Sequence, residues 1–161
     1  MKATKQLYDL GQSLWLDNIT RELLTSGTLK RYIDDLSVTG LTSNPTIFDH
    51  AITHSSAYDE KIHRLVKLGH SGEALFFELA LEDLTQAADM FVPVYERTAG
   101  VDGWVSLEVS PILAHDAKST VVEAKTLHEK AGRTNLFIKI RKGNNHDRYS
   151  KAHENAGMEG T

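Results

Sequence analysis

The 161-residue chain has an ordinary globular composition, with 40% hydrophobic and 25% charged residues, and its length is enough for one domain with a hydrophobic core. Its formal net charge of −4 excludes the large basic surface that nucleic acids and anionic membranes attract, so we expect neither as a partner. The absence of cysteine excludes disulfides and thiolate metal sites, and because the first residues also contain no apolar signal segment, we expect a cytoplasmic protein.

Strand-like and helix-like segments alternate along the chain. Period-two hydrophobicity with β-branched residues predicts four strands, at residues 13–17, 37–44, 103–109 and 135–140. Helical spacing of apolar residues predicts helices at 3–10, 20–36 (two helices split near Gly27), 45–52, 58–68, 73–97 and 116–130. We expect the helix 73–97 to be bent or interrupted at Pro93. This alternation predicts a parallel sheet with helical crossovers, either doubly wound or a barrel.

The predicted helix ends have recognisable capping residues. Asn44 and Pro45 suit the N-cap and the first position of the helix that follows them. Asp116 is a predicted N-cap, and Gly132 a predicted C-terminal stop.

The last 21 residues differ in character from the rest. Residues 141–161 lack periodicity and contain few apolar side chains, so they cannot bury enough surface to offset the entropy of ordering. We therefore expect one folded unit over residues 1–140 and a disordered tail over 141–161.

Each predicted strand carries a polar residue at its carboxyl end, opposite its aliphatic face. These residues are Asp17, Asn44, Glu108 and Lys139. In parallel α/β barrels the active site lies at that end of the strands. A solvated ion pair at the rim would explain any single one of them, but the agreement of four strands favours a shared site.

A lysine, two carboxylates and an amide suggest one reaction type. A lysine enclosed by apolar walls loses solvation of its charged form, which leaves a fraction of neutral amine. Neutral amine attacks a carbonyl, and the resulting iminium promotes cleavage of the adjacent carbon–carbon bond. Asp17 and Glu108 are candidates for the proton transfers that this needs. The alternative for Lys139 is a structural salt bridge, which the residues alone leave open.

At these residues the sequence resembles the transaldolase family, continuously from about Leu7 to Ile140. The resemblance is carried by LWLDNITRELLTSGTLKRYI, GLTSNPTIF, FELALEDL, VDGWVSLEVSPILAHD and NLFIKI, and it is closest to the bacterial subgroup with a WLD motif. It implies a (β/α)₈ TIM barrel of the class I aldolase type, of which only the first four strands and their helices are present here.

The resemblance also implies roles for individual residues. Lys139 would form the Schiff base, Asp17 would act as acid/base on the substrate C4 hydroxyl, and Glu108 would act through a water. Asn44 and Thr42 would bind substrate. The implied reaction transfers a dihydroxyacetone unit from sedoheptulose 7-phosphate or fructose 6-phosphate to an aldose phosphate. It belongs to the pentose phosphate pathway and needs no metal or cofactor.

The chain departs from the family pattern after Ile140. The loop and the four further βα units that carry the phosphate-binding residues are missing, so we expect a truncated barrel with little or no activity alone. Its two exposed sheet edges favour self-association. The alternative function is therefore a catalytically inactive α/β fragment that folds only by pairing with another chain. A lysine-dependent aldolase remains a third option.

Two further patterns favour structural interpretations. His50 and His54 have helical zinc-ligand spacing, but the glutamate of the metalloprotease motif does not stand between them, so we expect a solvated helix end and no metal. Trp15 and Trp104 are expected in the core.

Overall fold

The computed structural model describes residues 2–113 and 115–140, and the predicted tail at 141–161 lies outside them. The described residues form a parallel four-stranded sheet with the strands in chain order. The strands are β1 (Leu14–Asp17), β2 (Val38–Thr42), β3 (Trp104–Glu108) and β4 (Leu136–Lys139). A doubly wound sheet reverses its strand order at a switch point, whereas consecutive order without reversal is that of a barrel wall.

Seven α-helices accompany the strands in the described residues. They are α1 (Ala3–Asp9), α2 (Arg21–Thr25), α3 (Thr28–Leu36), α4 (Pro45–Thr53), α5 (Asp59–Lys67), α6 (Gly72–Arg97) and α7 (Ala117–Ala131). Short 3₁₀ turns lie at Ser56–Tyr58 and Pro111–Leu113. No helix among these residues is long and apolar enough to cross a membrane.

The predicted helix caps are confirmed. The Asn44 side chain accepts a hydrogen bond from the backbone N–H of Ile47 at 3.0 Å. Asp116 accepts from the N–H groups of Lys118 and Ser119, and Gly132 ends α7 in a left-handed conformation. These bonds satisfy amide and carbonyl groups that a helix end otherwise leaves unpaired.

Pro93 does not interrupt α6, which runs unbroken from Gly72 to Arg97. Phe91 and Val94, on either side of the proline, are fully buried in the main core. Because proline inside a helix costs about 3 kcal/mol, we attribute the continuity to this packing. Of the two outcomes expected at Pro93, a bend or an interruption, the interruption was therefore wrong.

One face of the sheet packs against the helices. The opposite face we call the inner face; by strand alternation it carries Trp15, Asp17, Thr42, Trp104, Ser106, Glu108, Phe137 and Lys139. Leu41, Val105, Leu107 and Leu136 are buried in the helix-covered core. The aliphatic face predicted from strand alternation is therefore confirmed at these positions.

Side chains from distant strands meet over the inner face. Trp15 on β1 and Phe137 on β4 have ring centroids 5.8 Å apart although two strands separate them. Flat neighbouring strands lie about 4.8 Å apart, so the first and last strands of a flat four-stranded sheet would be roughly 14 Å apart. The aromatic contact therefore indicates a concave inner face, as in the wall of a barrel.

Candidate active site

Lys139 lies at the carboxyl end of β4, on the inner face. Its Nζ donates a hydrogen bond to Oγ1 of Thr42 at 2.8 Å and lies 3.8 Å from Oε2 of Glu108. The Lys139 side chain is 35% exposed and that of Glu108 is 18% exposed. The predicted lysine therefore meets two of the predicted site residues, and its amine remains accessible.

The sheet register explains this meeting. Glu108 and Lys139 are partners across the parallel β3–β4 pair, and Thr42 is level with Ser106 across the β2–β3 pair. Residues level across neighbouring strands share a face of the sheet. The Lys139 side chain spans β3 to reach Thr42, because the inner face is concave.

Ser106 is a site residue that the sequence interpretation missed. Its hydroxyl is fully buried and donates to Oγ1 of Thr42 at 3.0 Å. Thr42 therefore accepts hydrogen bonds from both Ser106 and Lys139. Strand alternation could have indicated Ser106, because it precedes Glu108 by two residues and therefore lies on the same face of β3.

Asp17 and Asn44 lie at the same end of the sheet but are not in the Lys139 cluster. Asp17 is exposed at the end of β1, and its register partner on β2 is Thr42. The Oδ1 of Asn44 caps α4, a bond that does not use the amide N–H groups. The structure thus brings Lys139, Glu108 and Thr42 together and places the other two candidates near the same edge.

The loose contact with Glu108 bears on the salt-bridge alternative. A 3.8 Å separation with a partly exposed lysine contributes little to stability, as is usual for such pairs. The shorter bond of Lys139 is to the neutral Thr42 hydroxyl. The observed geometry thus combines a short bond to a neutral hydroxyl with a longer contact to a carboxylate.

Three aromatic side chains lie on the inner face, nearer the amino ends of the strands than the Lys139 cluster. Phe137 lies between Trp15 and Trp104, with ring centroids 5.8 and 5.9 Å away. Trp15 packs over Gly40, where an added Cβ would stand 2.6 Å from the indole Cε2. Trp15 is 38% exposed on the inner face, so the expectation that it belongs to the core was wrong.

The histidine pair forms a surface stack. The rings of His50 and His54 have centroids 4.1 Å apart and are nearly parallel, and both residues are exposed at the end of α4. Among the described residues, no group of three or more histidine or carboxylate side chains is arranged to hold a metal ion.

The fold and the site together define an α/β-barrel protein with a lysine at the carboxyl ends of its strands. The family model described as transaldolase/fructose-6-phosphate aldolase matches residues 14–142. The chain belongs to this family. The fold is therefore that of the TIM barrel of class I aldolase type, represented here by four strands and their helices.

Individual relatives agree with this assignment. The transaldolase of Saccharopolyspora erythraea is 46% identical over 134 residues, which cover 83% of this chain and 36% of that protein. The transaldolase of Thiobacillus denitrificans is 44% identical over 140 residues, covering 87% of this chain and 39% of that protein. The one from Arthrobacter sp. is 44% identical over 137 residues, covering 85% and 37%. The chain thus spans a little over a third of the length of these curated relatives.

Proposed function

We propose that this chain carries the lysine-bearing part of a transaldolase active site. The neutral amine of Lys139 attacks the ketone of sedoheptulose 7-phosphate or fructose 6-phosphate, and loss of water gives an iminium ion. The carbon–carbon bond next to it then breaks, and the three-carbon dihydroxyacetone unit passes to an aldose phosphate. The reaction belongs to the non-oxidative pentose phosphate pathway in the cytoplasm.

The other site residues have separate roles in this proposal. Asp17 takes the proton of the C4 hydroxyl during cleavage, and Glu108 acts through a water as the carbinolamine dehydrates. Thr42 and Asn44 bind substrate hydroxyls. The single observation that supports the proposal best is the bond between Lys139 and Thr42, with Glu108 3.8 Å from the same amine.

The exposed inner face limits the expected activity of the chain alone. Lys139 is partly exposed, so its amine and any bound substrate lie open to water, whereas this chemistry depends on a site that excludes water. We therefore propose little or no turnover without further strands to enclose the site.

Borohydride trapping tests this proposal at the lysine itself. We expect trace labelling of the 161-residue chain by fructose 6-phosphate. Labelling should approach one adduct per chain when the carboxyl-terminal part of the Saccharopolyspora erythraea transaldolase is supplied as a separate polypeptide. Mass analysis should place the adduct on Lys139. Lys139→Arg should abolish it, and Lys130→Arg, at an exposed lysine of α7, should not.

Two results would contradict the proposal. One is a reconstituted assembly that fails to label at Lys139, and the other is labelling that survives Lys139→Arg. Stoichiometric labelling of the chain alone would instead overturn the expectation that it is inactive by itself.

The exposure of Trp15 and Phe137 favours the second candidate function, a catalytically silent fragment that pairs with another chain. Both aromatic rings are more than a third exposed on the inner face, and β1 and β4 are the edges of the described sheet. A second copy could cover these surfaces. Size exclusion with a circular dichroism melt separates the two cases, because a folded monomer with a cooperative transition would show that no partner is required.

A further inference from the structure

A closed ring of hydrogen bonds lies in the helical layer, away from the Lys139 cluster. Asp83 of α6 is completely buried. Its Oδ2 accepts a hydrogen bond from the Tyr58 hydroxyl at 2.7 Å. Its Oδ1 accepts from Nε and Nη2 of Arg21, at 2.9 and 2.7 Å. Burying a carboxylate is unfavourable unless it is paired and hydrogen-bonded, and here both oxygens have partners.

The ring closes through the backbone of Arg21. The Arg21 N–H donates to the Tyr58 hydroxyl at 3.0 Å, and the guanidinium lies 4.7 Å from the centre of the Tyr58 ring. Arg21 is the first residue of α2, and its N–H is one that a helix start leaves unpaired. Tyr58 and Asp83 therefore hold the start of α2 by both its backbone and its side chain.

The start of α2 follows closely on Asp17. Only Asn18, Ile19 and Thr20 lie between Asp17 and Arg21. Ile19 is fully buried, and the Thr20 hydroxyl accepts from the Leu23 N–H as the N-cap of α2. In the described sheet β1 is an edge strand, so its carboxyl end has one neighbouring strand and one anchored helix to fix it.

Two further charged side chains, Glu82 and Lys61, lie beside the ring. Glu82 pairs with Arg21 at 3.0 Å and with Lys61 of α5 at 3.3 Å. Burial opposes ionisation of Glu82, but Arg21 and Lys61 outweigh it and lower its pKa. Burial raises the pKa of Asp83, while Tyr58 and Arg21 act in the opposite direction. Glu82 is part of the outer pair and not of the closed ring, which makes it a suitable control.

We propose that Asp83 is a positioning residue for Asp17, acting through the ring with Tyr58 and Arg21 to fix the start of α2 and, with it, the place of the Asp17 carboxylate. The inference rests on the proposed function, because it is Asp17 that would act on the substrate hydroxyl. Asp83 itself touches no substrate.

The test observes Asp17 directly in the full chain. The carboxyl carbon of Asp17 is followed by NMR in protein labelled at aspartate and assigned with Asp17→Asn. Tyr58→Phe removes the hydroxyl link but keeps the aromatic ring, and Asp83→Asn removes the buried charge. We expect both to shift or broaden the Asp17 signal. They should also speed amide exchange at Asn18 and Ile19 by about tenfold relative to Leu107 in β3. Glu82→Gln should leave both measures unchanged.

A purely structural role would look different. In that case the two substitutions would lower the melting temperature and raise amide exchange at Leu107 as much as at Ile19, and the Asp17 signal would not move. That result would overturn the inference. If Asp83→Asn does not fold, Tyr58→Phe decides alone. Neither measurement requires turnover, so a negative trapping result at Lys139 would count against the proposed function and leave this test intact.

Discussion

At the scale of single residues, Gly103 occupies a position that has no room for a side chain. Its φ is +86°, and an added Cβ would stand 2.3 Å from the backbone nitrogen of Tyr95. Its N–H also donates to the carbonyl of Thr39 at 2.7 Å, which places the start of β3 beside β2. A backbone atom cannot move aside as a flexible side chain can, so this position combines positive φ with a lack of space.

We expect Gly103→Ala to destabilise the chain by about 3 kcal/mol or more, because steric overlap and backbone strain add. Gly132→Ala is the matched control. Gly132 also has positive φ, at +57°, but the nearest atom to its added Cβ is 3.9 Å away. Its cost should be about 1 kcal/mol, from conformation alone. Urea unfolding measures both, and equal losses would contradict the role of the Tyr95 contact.

At the scale of elements, a bidentate ion pair ties α6 to the turn before β4. Arg133 donates to both carboxylate oxygens of Asp89, at 2.5 and 2.9 Å. The hydrogen bond from Arg133 lowers the pKa of the Asp89 carboxyl. Both side chains are substantially exposed, so water and salt weaken the pair.

The lowered pKa of Asp89 has a definite consequence for stability against pH. The folded state binds the proton less tightly than the unfolded chain. The contribution of the ion pair to the free energy of unfolding is therefore complete above the unfolded pKa of about 3.9, and it disappears as pH falls through the folded pKa. Asp89→Asn should lower the free energy of unfolding by up to about 1 kcal/mol at pH 7 and leave it unchanged at about pH 2. Urea unfolding from pH 7 to 2 measures this. Asp34→Asn, which breaks a pair within one helix, should cost less at pH 7, and a loss at Asp89 that is independent of pH would contradict the assignment.

The elements also show how far the sequence alone predicts this molecule. Alternation located all four strands to within one or two residues, because each strand has one face in the core and a different character on the other. The same parity placed Thr42, Glu108 and Lys139 on one face. It could not reveal that Trp15 meets Phe137, since that contact depends on the curvature of the sheet. Nor could it pair Arg21 with Asp83, 62 residues apart, since that depends on how α2 packs against α6.

At the scale of the whole molecule, the inner face combines exposed aromatic side chains with the edges of the described sheet. It presents Trp15 at 38% and Phe137 at 37% exposure, between two edge strands whose unpaired backbone groups can bind another strand. Aromatic side chains are frequent anchors of protein interfaces. The face is thus the surface through which we expect association.

We expect Trp15→Ser to weaken self-association by about tenfold, or about 1.4 kcal/mol, because it removes an aromatic anchor from this face. Val122→Ser is the control, since Val122 is 64% exposed on α7 in the helical layer. Sedimentation equilibrium across a range of concentrations measures both. If the two variants weaken association equally, or neither does, the inner face is not the interface.

The ring around Asp83 also has a consequence for the order in which a new chain folds. Arg21 leaves the ribosome 62 residues before its buried partner. At about 5–20 residues per second, that interval lasts roughly 3–12 seconds, far longer than the microseconds in which a helix forms and melts. During this time α2, at only five residues, is too short to persist by itself. We therefore expect the end of β1 to take its final place only after Asp83 has been synthesised, so translation speed through residues 22–83 sets the earliest moment at which this edge of the sheet can be complete.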